Sequence, residues 1–167
     1  PIGLEGLTAK DLIIPRLSIV QPTSKIEGAT AGKLRLNVTG EEFESLTVVF
    51  LRLQKGRVAF PPGGNADEPI CRSRDGITPD RNVQQRQSPI CATCHWSLWS
   101  EDRPPKCSET YGFLGVTTDD LLPFFIEFKG MGIAPVRQFL SAITLKRHAA
   151  PALYNVAIRL SAKVVID

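Results

Sequence analysis

Residues 46–65 read LTVVFLRLQKGRVAFPPGGN, and a switch of composition inside this stretch sets the expected architecture. From Leu46 to Leu53 the run is β-branched and aromatic, the make-up of a strand that packs on a pleated surface. Lys55-Gly56-Arg57 has the form of a turn or bulge leading into Val58-Ala59-Phe60. At Pro61-Pro62-Gly63-Gly64-Asn65 the chain meets a strong breaker, and from there to Pro105 it is poor in aliphatic residues. Such a stretch buries too little apolar surface to offset the entropy of ordering it, so something other than a hydrophobic core has to give it shape.

On either side the pattern is that of strands. Leu12 to Val20 is apolar with Pro15 inside it, which suits an edge strand or a strand start. Leu34, Leu36 and Val38 alternate with Arg35, Asn37 and Thr39, the period of a half-buried strand. Beyond the insertion, Tyr111 to Thr117 reads as a strand, and Leu122, Phe124, Ile126 and Phe128 put one face of the next into the core. Gly130 and Gly132 end it. A helix is expected to follow, with Pro135 in its first turn, a core stripe of Val136, Phe139, Leu140 and Ile143, and Lys146, Arg147 and His148 complementing the dipole at its end. Pro151 stops it. In the last strand Tyr154, Val156, Ile158, Leu160, Ala162, Val164 and Ile166 line one face. Asn155, Arg159, Ser161 and Lys163 line the other. The expected fold is mainly β: a single OB-like small barrel over residues 1–167, with one helix and a metal-binding insertion over 61–110.

The insertion holds all four cysteines of the 167-residue chain, spaced Cys71-x19-Cys91-x2-Cys94-x12-Cys107. A two-residue spacer lets both thiolates of Cys91 and Cys94 point at one ion, and Cys71 and Cys107 complete a set of four soft ligands, the donor set of a closed structural zinc site. Disulfide frameworks scatter cysteines over a fold, whereas a metal site gathers them. The spacing fits neither common ferredoxin pattern, which disfavours an iron–sulfur cluster. His95 is read as a neighbour of the site, since four thiolates already suffice. The gathered cysteines and the lack of a secretion signal point to a reducing, intracellular compartment. No apolar run approaches the ~20 residues that a membrane-spanning helix requires.

Catalytic patterns are missing from the sequence. Pro89-x-Cys91-x-x-Cys94 bears only a faint likeness to the cysteine half of the zinc deaminase signature, and the His or Cys two residues before a catalytic Glu is absent. Four thiolates also leave no open position for water. There is no Walker loop, GxGxxG, GxSxG or HExxH. Asp119-Asp120 is read as a solvated turn. The chain is therefore expected not to be an enzyme.

The net charge of +3 permits a local basic patch without demanding one. Both tryptophans, Trp96 and Trp99, lie in the insertion among Arg72, Arg74, Arg81, Arg86, Arg103 and Lys106. Cations that track phosphates beside aromatic faces that stack on bases are the means by which single strands are held. The plainer reading is that Trp96 packs over the cysteine knuckle and that Asp75, Asp80, Glu101 and Asp102 offset the charge. Outside the insertion, Arg52, Lys55 and Arg57 surround one turn, and Arg159 and Lys163 share the polar face of the final strand, with Arg35 near them. Exposed cations on a sheet often serve solubility alone; convergence on one concave face would favour binding.

Ile14-Pro15-Arg16-Leu17-Ser18-Ile19-Val20-Gln21, Cys71-Arg72-Ser73-Arg74-Asp75-Gly76, Cys91-Ala92-Thr93-Cys94, Trp99 and Pro104-Pro105-Lys106-Cys107 together resemble a group of bacteriophage-encoded proteins associated with single-stranded DNA binding. The resemblance implies an OB-fold body with a zinc-binding insertion that coats single strands during replication or recombination. Such a protein would act in the host cytoplasm, with replication or recombination proteins as further partners. The expected contacts are Arg52, Lys55, Arg57, Arg72, Arg74, Arg159 and Lys163 on phosphates, with Trp96, Trp99 and Phe60 as stacking surfaces and Cys71, Cys91, Cys94 and Cys107 on the metal. The alternative is a zinc-stabilised protein–protein interaction or regulatory module.

Overall fold

The computed structural model describes residues 6, 8, 10–24, 26–62, 68–100, 102–145 and 152–164. It is mainly β, with two antiparallel sheets and one helix. Strands β1 (Leu17–Ile19), β2 (Leu34–Leu36) and β3 (Glu42–Phe43) form a small sheet in that order. Strands β4 (Ser45–Ala59), β5 (Cys71–Ser73), β6 (Cys107–Thr117), β7 (Pro123–Lys129) and β8 (Ala157–Ser161) form the second, ordered β5-β4-β6-β7 with β8 also paired to β4. The hydrogen-bonded path among the described residues stays open, so the expected barrel closure is not part of the observed fold.

The chain divides into two compact units: residues 1–51, 114–126 and 154–167 in one, residues 52–113 and 127–153 in the other. In the first, Leu17, Val20, Leu34, Leu36, Val48, Phe50, Phe124 and Ile126 are buried. The Phe50 and Phe124 rings lie 6.5 Å apart, tilted by 59°. Gly115 is required beneath them, because a Cβ there would stand 2.9 Å from Phe124 and 3.0 Å from the Val49 carbonyl. Strand β8 pairs antiparallel with the start of β4, from Ser45↔Ser161 to Val49↔Ala157. Its inward side is only half buried, and Tyr154 lies outside the strand, exposed.

In the second unit Val58, Ala59, Tyr111, Phe113, Val136 and Ile143 are buried, and Phe113 meets Phe128 edge to face at 5.9 Å. Helix α1 (Ile133–Leu145) forms where expected, entered through a 3-10 turn at Gly130–Gly132 and burying Val136 and Ile143. The expected basic helix end at Lys146, Arg147 and His148 lies outside the described residues, as do Pro151 and Ile166.

Lys55-Gly56-Arg57 is not a turn: β4 runs unbroken through it. Gly56 serves close packing, since a Cβ there would stand 2.8 Å from both the Ser73 carbonyl and the Thr110 hydroxyl. Val38, expected on a strand face, is exposed in the turn after β2.

A cysteine-lined cavity and an arginine groove

Ala59 at the end of β4 pairs with Cys71 at the start of β5, and Arg57 with Ser73. Cys107 is the first residue of β6. The two outer cysteines are thus the first residues of strands, and with Ala59 they make a buried cluster against which Ile70, Val83 and Trp96 pack. Between them, residues 74–106 contain no strand among the described residues and are shaped by local hydrogen bonds.

Cys91–Thr93 forms one 3-10 turn and His95–Ser97 another. The Cys94 amide donates to the Cys91 carbonyl at 3.2 Å, and the Ser97 hydroxyl lies 2.5 and 2.7 Å from the carbonyls of Cys91 and Cys94. The Cys91 amide donates to Ile77 at 2.8 Å and ties the knuckle to the loop after β5. That loop turns on Asp75-Gly76. The Asp75 carboxylate accepts from the Ser73 hydroxyl, the Ile77 and Thr78 amides and the Thr78 hydroxyl at 2.7–2.9 Å. Gly76 takes the positive φ of 71° that the turn needs. The amide bonds, that of Thr78 first, hold the Asp75 pKa well below the ordinary carboxylate value.

All four cysteines are free thiols and line one cavity of about 10 Å³, with Trp96 and Ser97 also on its wall. Space of that size admits one water-sized particle. Cys71, Cys91 and Cys107 are buried and Cys94 is half buried. Burial raises the pKa of Cys71 and pushes Cys107 up to about 11; the Arg57 guanidinium opposes the shift at Cys107, while charge on the other cysteines adds to it. Among the described residues, no group of three or more His, Cys, Asp or Glu side chains is drawn into a metal-binding cluster. The finding at this level is a shared cavity and a soft donor set.

The expected nucleic-acid contacts divide between the units. Arg159 and Lys163 lie in the first, where Arg159 Nε donates to Ser45 Oγ at 3.1 Å. Arg35, in the same unit, is paired to Glu42 at 3.3 Å. Arg52, Lys55, Arg57, Phe60, Arg72, Arg74, Trp96 and Trp99 lie in the second. Several of these are already committed. Arg57 has 19% of its side chain exposed and pairs with Glu109 at 3.3 Å. Arg72 pairs with Glu127 at 3.3 Å and Arg74 with Asp80 at 3.0 Å. Lys55 Nζ sits 5.0 Å from the Tyr111 ring centroid, and Lys129 covers half-buried Phe60 at 4.6 Å. Arg52 is exposed, with no ion pair among the described residues.

The tryptophans differ sharply. Trp96 is half buried on the cysteine cluster, with Lys106 Nζ 5.9 Å from its ring and His95 at its edge. Trp99 is 77% exposed, next to exposed Leu98.

A second, larger space of about 530 Å³ is lined by Arg72, Arg74, Thr78, Asp80, Arg81 and Asn82, with Pro69, Pro79 and Val83. Sequence reading placed these arginines in the insertion without seeing that one groove collects three of them. The Asp75-Gly76 turn signal, which bends the chain after Arg74, was the available clue. No known protein family, curated protein or solved structure matches this chain.

Proposed function

We propose that the protein binds single-stranded DNA with little sequence preference, as a non-enzymatic OB-like module whose insertion is organised by one structural zinc ion. Cys71, Cys91, Cys94 and Cys107 would hold the metal. Four free thiols lining one ion-sized space supply the soft donors that a structural zinc ion takes. The ion's part is structural: it replaces the missing core of the insertion.

The single observation that carries the binding reading is Trp99, 77% exposed on a segment that also bears exposed Arg81, Arg86 and Arg103. Burying an indole is worth far more than exposing it, so a tryptophan left on the surface beside cations suits a ring that a base covers. Arg52 and Lys55 would add phosphate contacts. Titration of tryptophan fluorescence with single- and double-stranded oligonucleotides at two salt concentrations tests the reading. Quenching by single strands that weakens steeply with salt is expected; unchanged fluorescence with every oligonucleotide refutes it.

A specific observation favours a second reading, a zinc-stabilised protein-interaction module. Ile77, Ile90 and Leu98 are exposed on the same insertion as Trp99, and exposed apolar groups can serve protein contacts where they form a patch. In that case Trp99 fluorescence would ignore nucleic acid.

A further inference from the structure

The groove bordered by Arg72, Arg74 and Arg81 has a charge arrangement that its neighbours only partly satisfy. Arg72 is held by Glu127 and Arg74 by Asp80, whose carboxylate both pairs with Arg74 Nε and accepts its backbone amide at 3.1 Å. Arg81 has no ion pair among the described residues and is exposed on the same groove. Asn82 adds an uncharged amide able to donate hydrogen bonds, and the Asp80 amide donates to the Arg72 carbonyl, fixing the two walls together. Three guanidiniums thus face one open space that contains a single carboxylate, Asp80. Arg74 is 75% exposed despite its pair, so its guanidinium is free to turn from one anion to another.

We infer that this groove is a phosphate-binding subsite in which Asp80 serves as an internal stand-in for the phosphate. The ligand class is a phosphodiester or phosphomonoester. Guanidiniums match phosphate oxygens with paired donors, and a groove of about 530 Å³ is large enough for a nucleotide-sized group. On binding, Arg81 supplies the uncommitted cation and Arg74 exchanges the Asp80 carboxylate for a phosphate oxygen. Asp80 therefore opposes binding while the site is free, and its loss strengthens the site. The inference rests on the single-strand reading for the polymer alone; affinity for phosphate is a separate question.

The test has two arms. In the first, inorganic pyrophosphate is added to the full chain while the arginine Nε–H signals are followed by NMR. Arg81 and Arg74 signals are expected to move together and saturate, and the Arg74 signal to stay still in an Arg81→Gln variant. In the second, labelled oligo-dT is titrated by anisotropy. Arg81→Gln is expected to weaken binding several-fold and flatten the log–log salt slope by about 0.7, while Asp80→Asn, which keeps an acceptor for the Arg74 amide, tightens binding. Oligonucleotide binding that is unaffected by Arg81→Gln, with no response to pyrophosphate, overturns the groove assignment and leaves the single-strand reading standing. A pyrophosphate response without any oligonucleotide binding does the reverse: it keeps the groove as a site for a free phosphate compound and removes the polymer. Absence of both oligonucleotide binding and a pyrophosphate response removes both.

Discussion

Ala59 and Cys71 face each other as Cα partners across β4 and β5, which joins the last residue of a long strand to the first thiol of the cysteine cavity. The cavity is consequently built on the sheet, and a change in its cysteines should be felt in the sheet's edge as well as in the insertion.

The metal content of the purified protein should come to about one zinc per chain if four thiolates close around one ion. Elemental analysis of the wild type against Cys71→Ser and Cys107→Ser checks this, and both variants should fall well below one. A wild type that carries no metal under reducing, chelator-free conditions would end the zinc reading.

Trp96 and Trp99 should separate by role. Trp99→Ala should weaken oligo-dT binding by about 1–3 kcal/mol, the worth of one base stack, with thermal stability unchanged. Trp96→Ala, which removes a ring packed on Ala59, Cys71 and Cys107, should lower the melting temperature. Equal behaviour of the two variants would contradict the division.

Gly56→Ala should cost roughly 1–3 kcal/mol, because the added methyl meets a backbone carbonyl and cannot be accommodated by a side-chain rotation alone. Denaturant unfolding measures it. A neutral outcome would mean that β4 and β5 approach less closely than described.

The carboxylate of Asp75 has its folded pKa depressed below the ordinary value of 3.8, first by the Thr78 and Ile77 amides. A depressed acid contributes stability that is present above the unfolded value and lost as pH falls through the folded one. The turn at 73–78 should accordingly stay intact through the ordinary carboxylate value of 3.8 and loosen only as pH falls through the lower folded one. NMR titration of the Asp75 carboxyl, with the Ile77 and Thr78 amide shifts as reporters, tests the sign; a midpoint at or above 3.8 would reverse it.

Much of the strand and helix content could be read in advance, because it rests on periodicity. Leu34 and Leu36, or Phe124 and Ile126, alternate because each pair buries one face, and the helix from Ile133 follows a glycine break as expected. Gly56 misled because one residue type serves two purposes, turning the chain and letting another backbone come near; only the positions of Ser73 and Thr110 distinguish them. Tyr154 misled because alternation says nothing about where pairing starts: β8 begins at Ala157. In the candidate site, the cysteine spacing led to an expected metal set; the four side chains line one cavity, but no metal-binding group forms among the described residues. The ion pairs that occupy Arg57 and Arg72 were hidden, since Glu109 and Glu127 are made their neighbours by the fold. The Arg74–Asp80 pair, by contrast, lies within one loop, where the sequence already reads Asp80 as offsetting charge.

The pairing of Ser45–Val49 with Ala157–Ser161 has a consequence for synthesis. On the ribosome, the first third of β4 emerges long before its partner, and non-local pairing of this kind forms slowly. During that interval an unpaired backbone edge is open to a neighbouring nascent copy. Shortening the chain before Ala157 should therefore yield insoluble material even though the cysteine cavity and the arginine groove are untouched, and restoring the missing strand as a separate peptide should rescue solubility.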